Sequence, residues 1–399
     1  MPPSSLFSNS FALHTSRVQH FQPFLDMATS ASVQDLKTMV QQLQFLCMTL
    51  EKQFLTPQPS DQNCRVNEIL RQVYAKGVIS KVQAVTTMDM LLKEDTENPQ
   101  HVFMIVKFLI DEFNLSKEDI LKNTTHVVAN NYLDVFKYLH GAFGFTSEDI
   151  RSNYIKALRY SSRHGNIEML RYLKKEFNLT TEDARVDQNY ALRISAERGH
   201  IEIVKYLHTE FNLTAEDARA IKNYALRKSA ERGHIEILKY LHTEFNLTTE
   251  DARAEHNWAL MYCAINGHIE ILKYLHTDFG LTIEYARDVP YLSAKNGHYE
   301  VLQYCKTGFG MTTEDVLSKH NLCFREAVCE GHVEVVKCLK EDFGLTEEDT
   351  LINGNNWALT YSFAKGRHDM VKYLQTAFGF EDTPEMVLQK TLAKLSSLY

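Results

Sequence analysis

Along most of the chain the apolar positions fall in one recurring phase. Ile201, Val204, Leu207 and Phe211 stand three or four residues apart, with Glu202, Lys205 and Glu210 between them. That spacing predicts an amphipathic helix with one buried face. A shorter helix is expected before it, over Ala191-Leu192-Arg193-Ile194-Ser195-Ala196, ended by Gly199. A residue without Cβ takes the left-handed backbone there at little cost. The segment from Asn189, NYALRISAERGHIEIVKYLHTEFNLTAEDARA, returns nearly verbatim from Asn223 and more loosely from Asn257.

The glycine serves as an index: Gly165, Gly199, Gly233, Gly267, Gly297, Gly331 and Gly366 follow at steps of 34, 34, 34, 30, 34 and 35. Two weaker copies place Asn131 and His101 in the same position, which makes about nine copies over residues 90–380. The two steps of 30 (101 to 131 and 267 to 297) each drop about one turn between helices, so they should bend or tighten a stack. Asn189, Asn223, Asn257, Asn321 and Asn356 precede the first helix and suit its N-cap. The tail of each copy, such as Thr180-Thr181-Glu182-Asp183-Ala184-Arg185, has the spacing of a capping box and predicts a third short helix.

Such units must stack. Ordering 34 residues costs about 50 kcal/mol, which takes about 2,000 Å² of buried apolar surface to offset. A lone helix pair buries only its own seam, so neighbours have to cover the outer faces. Ser195/Ala196, Ser229/Ala230, Cys263/Ala264 and Ser293/Ala294 are small enough to let helices approach. The expected fold is an all-α helical repeat solenoid. Residues 1–30 read as a serine-rich disordered leader with a mild likeness to a transit peptide, or as an over-long start before Met27. Residues 31–89 read as an N-terminal helical cap or docking segment, with an amphipathic helix around Val33 to Phe54. Residues 381–399 read as a closing helix.

Composition narrows the function. The 399 residues carry a net charge of -8, the wrong sign for an electrostatic nucleic-acid binder. No run of about 18 apolar residues would span a membrane. The seven cysteines (Cys47, Cys64, Cys263, Cys305, Cys323, Cys329 and Cys338) form no C-x-x-C pair. They read as reduced thiols packed in helices of an intracellular, cytoplasmic protein.

Leu192, Ser195-Ala196, Gly199-His200, Ile203-Val204 and Leu207 together resemble the L…A-A…G-H…V-V…L framework of the ankyrin repeat. Further copies match over Leu226 to Leu241, Leu260 to Leu275 and Leu359 to Leu374. The family's Thr-Pro is replaced by Tyr190-Ala191 or Trp258-Ala259, and its hairpin segment by FNLTTEDAR. The resemblance therefore implies stacked helices with the β-hairpin fingers reduced or replaced by short helices. The wording YLHTEFNLTTEDAR is similar to ankyrin-repeat proteins of giant DNA viruses and protists, which implies the host cytoplasm if the source is viral.

Most chemical-looking motifs dissolve into this grammar. His200, His234, His268, His298 and His332, and again His208, His242 and His276, recur once per copy. At the pitch of packed helices they stand too far apart to chelate one ion. Acid pairs such as Glu182/Asp183, Glu216/Asp217 and Glu250/Asp251 read as exposed, helix-capping carboxylates. Asn178-Leu179-Thr180, Asn212-Leu213-Thr214 and Asn246-Leu247-Thr248 match a glycosylation sequon, but read as the lead into the short helix. No nucleotide, hydrolase or metalloprotease signature is present, and neither a catalytic residue, a cofactor nor a metal is expected.

What the framework leaves free is the set of positions that differ between copies. Counting back from the glycine, these give Tyr190, Arg193, Ile194, Tyr224, Arg227, Lys228, Trp258, Met261, Tyr262, Tyr291, Trp357 and Tyr361 as candidates for a partner-binding groove. The resemblance implies that this side forms the concave surface, and aromatics and arginine are enriched at interface hot spots. Packing between repeats is the competing reading for the aromatics, and a solvated face for the arginines. The expected function is a monomeric, non-enzymatic scaffold binding a protein partner. An adaptor recruiting substrates to a ubiquitin ligase is the alternative, and an enzyme hidden in the N-terminal 90 residues lacks any supporting constellation.

Overall fold

A computed structural model describes residues 81–93, 99–121, 124–351 and 356–380, together with Met386. The expected leader, the helix around Val33 to Phe54 and the closing segment, Met386 apart, lie outside these residues. The described residues are helical with no strand among them. They divide into two compact units, between Asp183 and Ala184.

In the first unit Lys81–Lys93, Thr124–Ala129 and Ser147–His164 pack in series as first helices, and Pro99–Phe113 packs on Leu133–Phe143 as second helices. Lys81–Lys93 thus supplies the first helix of the first copy. In the second unit the first helices Ala220–Glu231, Ala254–Ile265, Val289–Asn296, Ser318–Glu330 and Trp357–Ala364 stack each on the next. Beside them Ile201–Glu210, Ile235–Thr243, Ile269–Thr277, Tyr299–Thr307, Val333–Glu341 and His368–Phe378 stack as second helices. The core lies between these layers. Leu192, Ile203, Val204 and Leu207 are fully buried, and so are the small residues of the four pairs from Ser195/Ala196 to Ser293/Ala294.

The third short helix forms as Ala215–Ala218, Thr249–Ala252, Thr313–Val316 and Glu347–Thr350, each opened by a threonine–aspartate capping box. The acids divide their roles. Glu216 and Glu250 are exposed, but Asp217 and Asp251 keep only 6% and 7% of their surface, against the expectation that both members of each pair are exposed. The sequon asparagines also serve differently from the expectation. Asn178, Asn212 and Asn246 have φ of 51°, 52° and 53° and end the preceding second helix, a place taken by glycine at Gly144 and Gly280. The lead into the short helix is the threonine two residues on.

A second correction concerns the asparagines before the first helices. Asn356 is an N-cap, its side chain accepting from the Leu359 N–H. Asn189, Asn223, Asn257 and Asn321 are not: Asn321 is left-handed at φ 53° inside Ser318–Glu330, and each of the others is the last of three consecutive left-handed residues, Asp187–Asn189, Ile221–Asn223 and Glu255–Asn257. Left-handed backbone costs an L-residue about 1 kcal/mol or more, and a β-branched residue such as Ile221 rarely adopts it. The step of 30 residues to Gly297 lacks this turn. There a 3-10 turn at Ile283–Tyr285 leads directly into Val289–Asn296, with Pro290 in its first turn.

The Gly-His pair is explained across repeats. Gly233 has φ of 84°, and a Cβ on it would lie 2.8 Å from Cε1 of His268 in the next repeat. That imidazole donates from Nε2 to the Glu231 carbonyl oxygen at 3.0 Å. His234, His298 and His332 do the same to Glu197, Ile265 and Lys295. Gly280 has φ of 70° and open space around it. Gly280→Ala should therefore show only the cost of the left-handed backbone, about 1 kcal/mol. Gly233→Ala should destabilise clearly more, by about 2 kcal/mol or beyond. Urea unfolding of both variants measures the difference, and equal losses would remove the second role assigned to the glycine.

Candidate functional site

Three polar ladders join neighbouring repeats before any outside partner is considered. In the second unit the first runs through glutamates two residues before the glycine. Glu197 accepts from His234 on its carbonyl and from the Tyr224 hydroxyl on its carboxylate, at 2.6 Å. Glu231 likewise receives His268 and the Trp258 indole N–H, at 2.9 Å. Burial, then the bond to Glu197, raise the Tyr224 hydroxyl to about 12.

The second ladder joins the second helices. His208 Nδ1 and the Tyr240 hydroxyl hydrogen-bond at 2.9 Å, as do His242 with Tyr274 and His276 with Tyr304. The His208 ring also lies 4.1 Å from that of Phe245. The third ladder is ionic. Arg185 forks onto Asp217 at 2.9 and 3.1 Å, and Arg219 onto Asp251 at the same distances. Desolvation alone would raise the Asp251 carboxyl, but the Arg219 fork, the Thr248 bonds and the Arg219 charge hold it below its ordinary value. These contacts give the recurrent histidines and aspartates a structural task.

The face formed by the first helices and their left-handed turns is built differently. Arg193 donates to the Gln188 and Asp187 carbonyls at 2.8 and 2.9 Å, and lies over the rings of Tyr190 and Tyr224. Arg227 donates to the Lys222 and Ile221 carbonyls at 2.8 and 3.2 Å, 5.2 Å from the Trp258 ring. The two arginines close the left-handed turns and are no solvated face. Trp258 stacks on Tyr262 at 4.1 Å, and Trp357 on Tyr361 at 5.2 Å.

A family model described as ankyrin repeats (3 copies) matches residues 124–217 and again 192–285. Residues 124–285 are ankyrin repeats. No curated protein matches it. Ankyrin repeats are protein-interaction modules. Among the described residues no helix is long and apolar enough to cross a membrane, and no group of three or more His, Cys, Asp or Glu is placed to hold a metal ion. Cys263, Cys305, Cys323 and Cys338 are buried, and burial pushes the thiols of Cys263, Cys305 and Cys338 up.

The groove candidates separate on this ankyrin framework. Ile194 and Arg227 keep only 8% of their surface and have little to offer a partner. Tyr224, Trp258 and Lys228 are half-buried and bonded to glutamates, Lys228 to Glu231 at 2.7 Å. Tyr190, Arg193, Met261, Tyr262, Tyr291, Trp357 and Tyr361 are half-buried. Sequence reasoning missed the turn residues Asp187, Gln188, Ile221, Lys222, Glu255 and His256. A signal for them existed: ARVDQNYAL, ARAIKNYAL and ARAEHNWAL differ in the middle between near-constant flanks.

Two predictions follow the ladders. Burial lowers the His234 imidazole below its ordinary 6.5, and burial does the same to His208 and His126. The unfolded chain then binds protons that the folded chain refuses. Stability is complete above about pH 6.5 and falls as the pH drops towards the folded values. Melting temperature should decline between pH 7.5 and 5.5, and His234→Asn should lessen that decline, since Asn166 makes the corresponding bond to Val128 without titrating. An unchanged slope would sink the assignment. Arg219→Ala strands Asp251 in its buried place and should destabilise by about 3 kcal/mol, against well under 1 kcal/mol for the exposed pair removed by Lys239→Ala. Chemical denaturation compares the two.

Proposed function

We propose that this chain is a non-enzymatic scaffold that binds a protein partner across the first-helix face of its second unit. One observation carries the reading. Neighbouring copies share the residues that join them, whereas half-exposed positions on this face change from repeat to repeat, as Lys228, Tyr262 and Leu292 do in one position. Tyr262, stacked on Trp258, and Tyr361, stacked on Trp357, give this face aromatic anchors of the kind that dominate binding energy. The outward side of the second helices is plainer, with Glu202–Lys205, Glu236–Lys239 and Glu270–Lys273 repeating one neutralised pair. A substrate-recruiting adaptor of a ubiquitin ligase would need a ligase-binding box, and no described feature favours one.

Affinity capture with the full chain, read by mass spectrometry, tests the proposal. Tyr262→Ala combined with Tyr291→Ala should reduce recovery of a specific partner at least tenfold while helical circular dichroism is kept. Glu270→Ala with Lys273→Ala should leave recovery intact. A catch without any specific protein, or one indifferent to the two tyrosines, would end this reading.

A further inference from the structure

The three left-handed turns follow one backbone course, the widest spread being 45° to 55° in ψ of their first residue. In two of them an arginine six residues after that first residue forks onto the first two carbonyls, Arg193 and Arg227 in turn. In the third, Glu255–Asn257, the corresponding residue is Met261, which carries no donor. The carbonyls of Glu255 and His256 are thus presented as in the other two turns, without the guanidinium that closes those.

The sequence of the following repeat differs as well. The ring of Tyr224 covers Arg193, and that of Trp258 covers Arg227. Counted back from the glycine, the next residue in this series is Asp288, a carboxylate where the others are rings. The repeat that contributes it also lacks the left-handed turn, its step being 30 residues. Glu255, in the turn itself, has its carboxyl held low by the Lys222 hydrogen bond and remains charged.

We propose that the turn Glu255–Asn257 with Met261 is a subsite for an arginine side chain of the bound protein, seated as Arg193 and Arg227 are seated within the chain. It rests on the first-helix face being the binding face. Two carbonyls side by side suit the planar fork of a guanidinium and not the single point of an ammonium.

The probe is the peptide acetyl-Gly-Arg-Gly-amide, titrated into the full chain and followed by NMR of the two tryptophan indole N–H signals. The Trp258 signal is identified by its loss in Trp258→Phe. A saturable shift of Trp258 and not of Trp357 is expected, at least tenfold weaker with the isosteric citrulline peptide. Met261→Arg should abolish the shift and raise the melting temperature by about 2 °C, because the chain then fills the subsite itself. An equal response to citrulline, a shift that persists in Met261→Arg, no shift at Trp258, or a lowered melting temperature in Met261→Arg would each overturn the proposal. Capture of a protein that survives Met261→Arg removes the subsite and leaves the binding face standing. A peptide response at Trp258 without any captured protein supports the subsite and ends the wider reading.

Discussion

Near the ends of five first helices in the second unit, a carbonyl is satisfied from the next repeat. Glu197, Glu231, Ile265 and Lys295 all receive an imidazole from a residue some 33 to 37 positions on, and Val328 receives Arg367 in the same way. A buried helix end without such a donor would cost the desolvation of its carbonyl. No repeat is complete alone, and its stability is shared with its neighbours. The rest of the grammar follows from that. The glycine must lack Cβ to admit the ring, the helix behind it must be short enough to present its end, and the small residues before it must let the helices approach.

This explains which parts of the fold were legible in sequence. Helix phase, the glycine, and the threonine–aspartate capping boxes are local, so one copy shows them and the others repeat them. Pairing between copies needs a register that no single copy contains. Glu216 and Asp217 look alike in composition, yet one is solvated and the other is the buried partner of Arg185. The left-handed turns were hidden for a stronger reason. Ile221, Lys222 and Glu255 are residues that local preference places elsewhere, and only tertiary contacts make their conformation the favoured one.

The candidate face was legible as variation and opaque as chemistry. Copy-to-copy differences marked Ile194, Arg227 and Trp258 alike, but burial removes the first two from contact with a partner, and Glu231 holds the third. Variation identifies positions that the common framework does not dictate. A side chain can meet that description because it faces a partner, or because it matches a neighbour that also varies. Tyr224 with Arg193, and Trp258 with Arg227, are matched pairs of the second sort.

The chain starts a first helix in more than one way, and the comparison between them is informative. Asn356 caps its helix from a side chain, and Asp288-Val289-Pro290 enters one with a fixed φ and no left-handed residue. Neither needs an arginine. The left-handed turn is the strained solution, at about 1 kcal/mol or more for each of its residues. At Asp187 and Ile221 an arginine offsets that strain with two hydrogen bonds to backbone and a stacked ring. At Glu255 the same turn is kept with Met261 in the arginine's place, although a sequence with four fewer residues closes the very next repeat without it. A strained turn retained beside its cheaper replacement, and stripped of the side chain that steadies it elsewhere, is a backbone held ready for a group from outside.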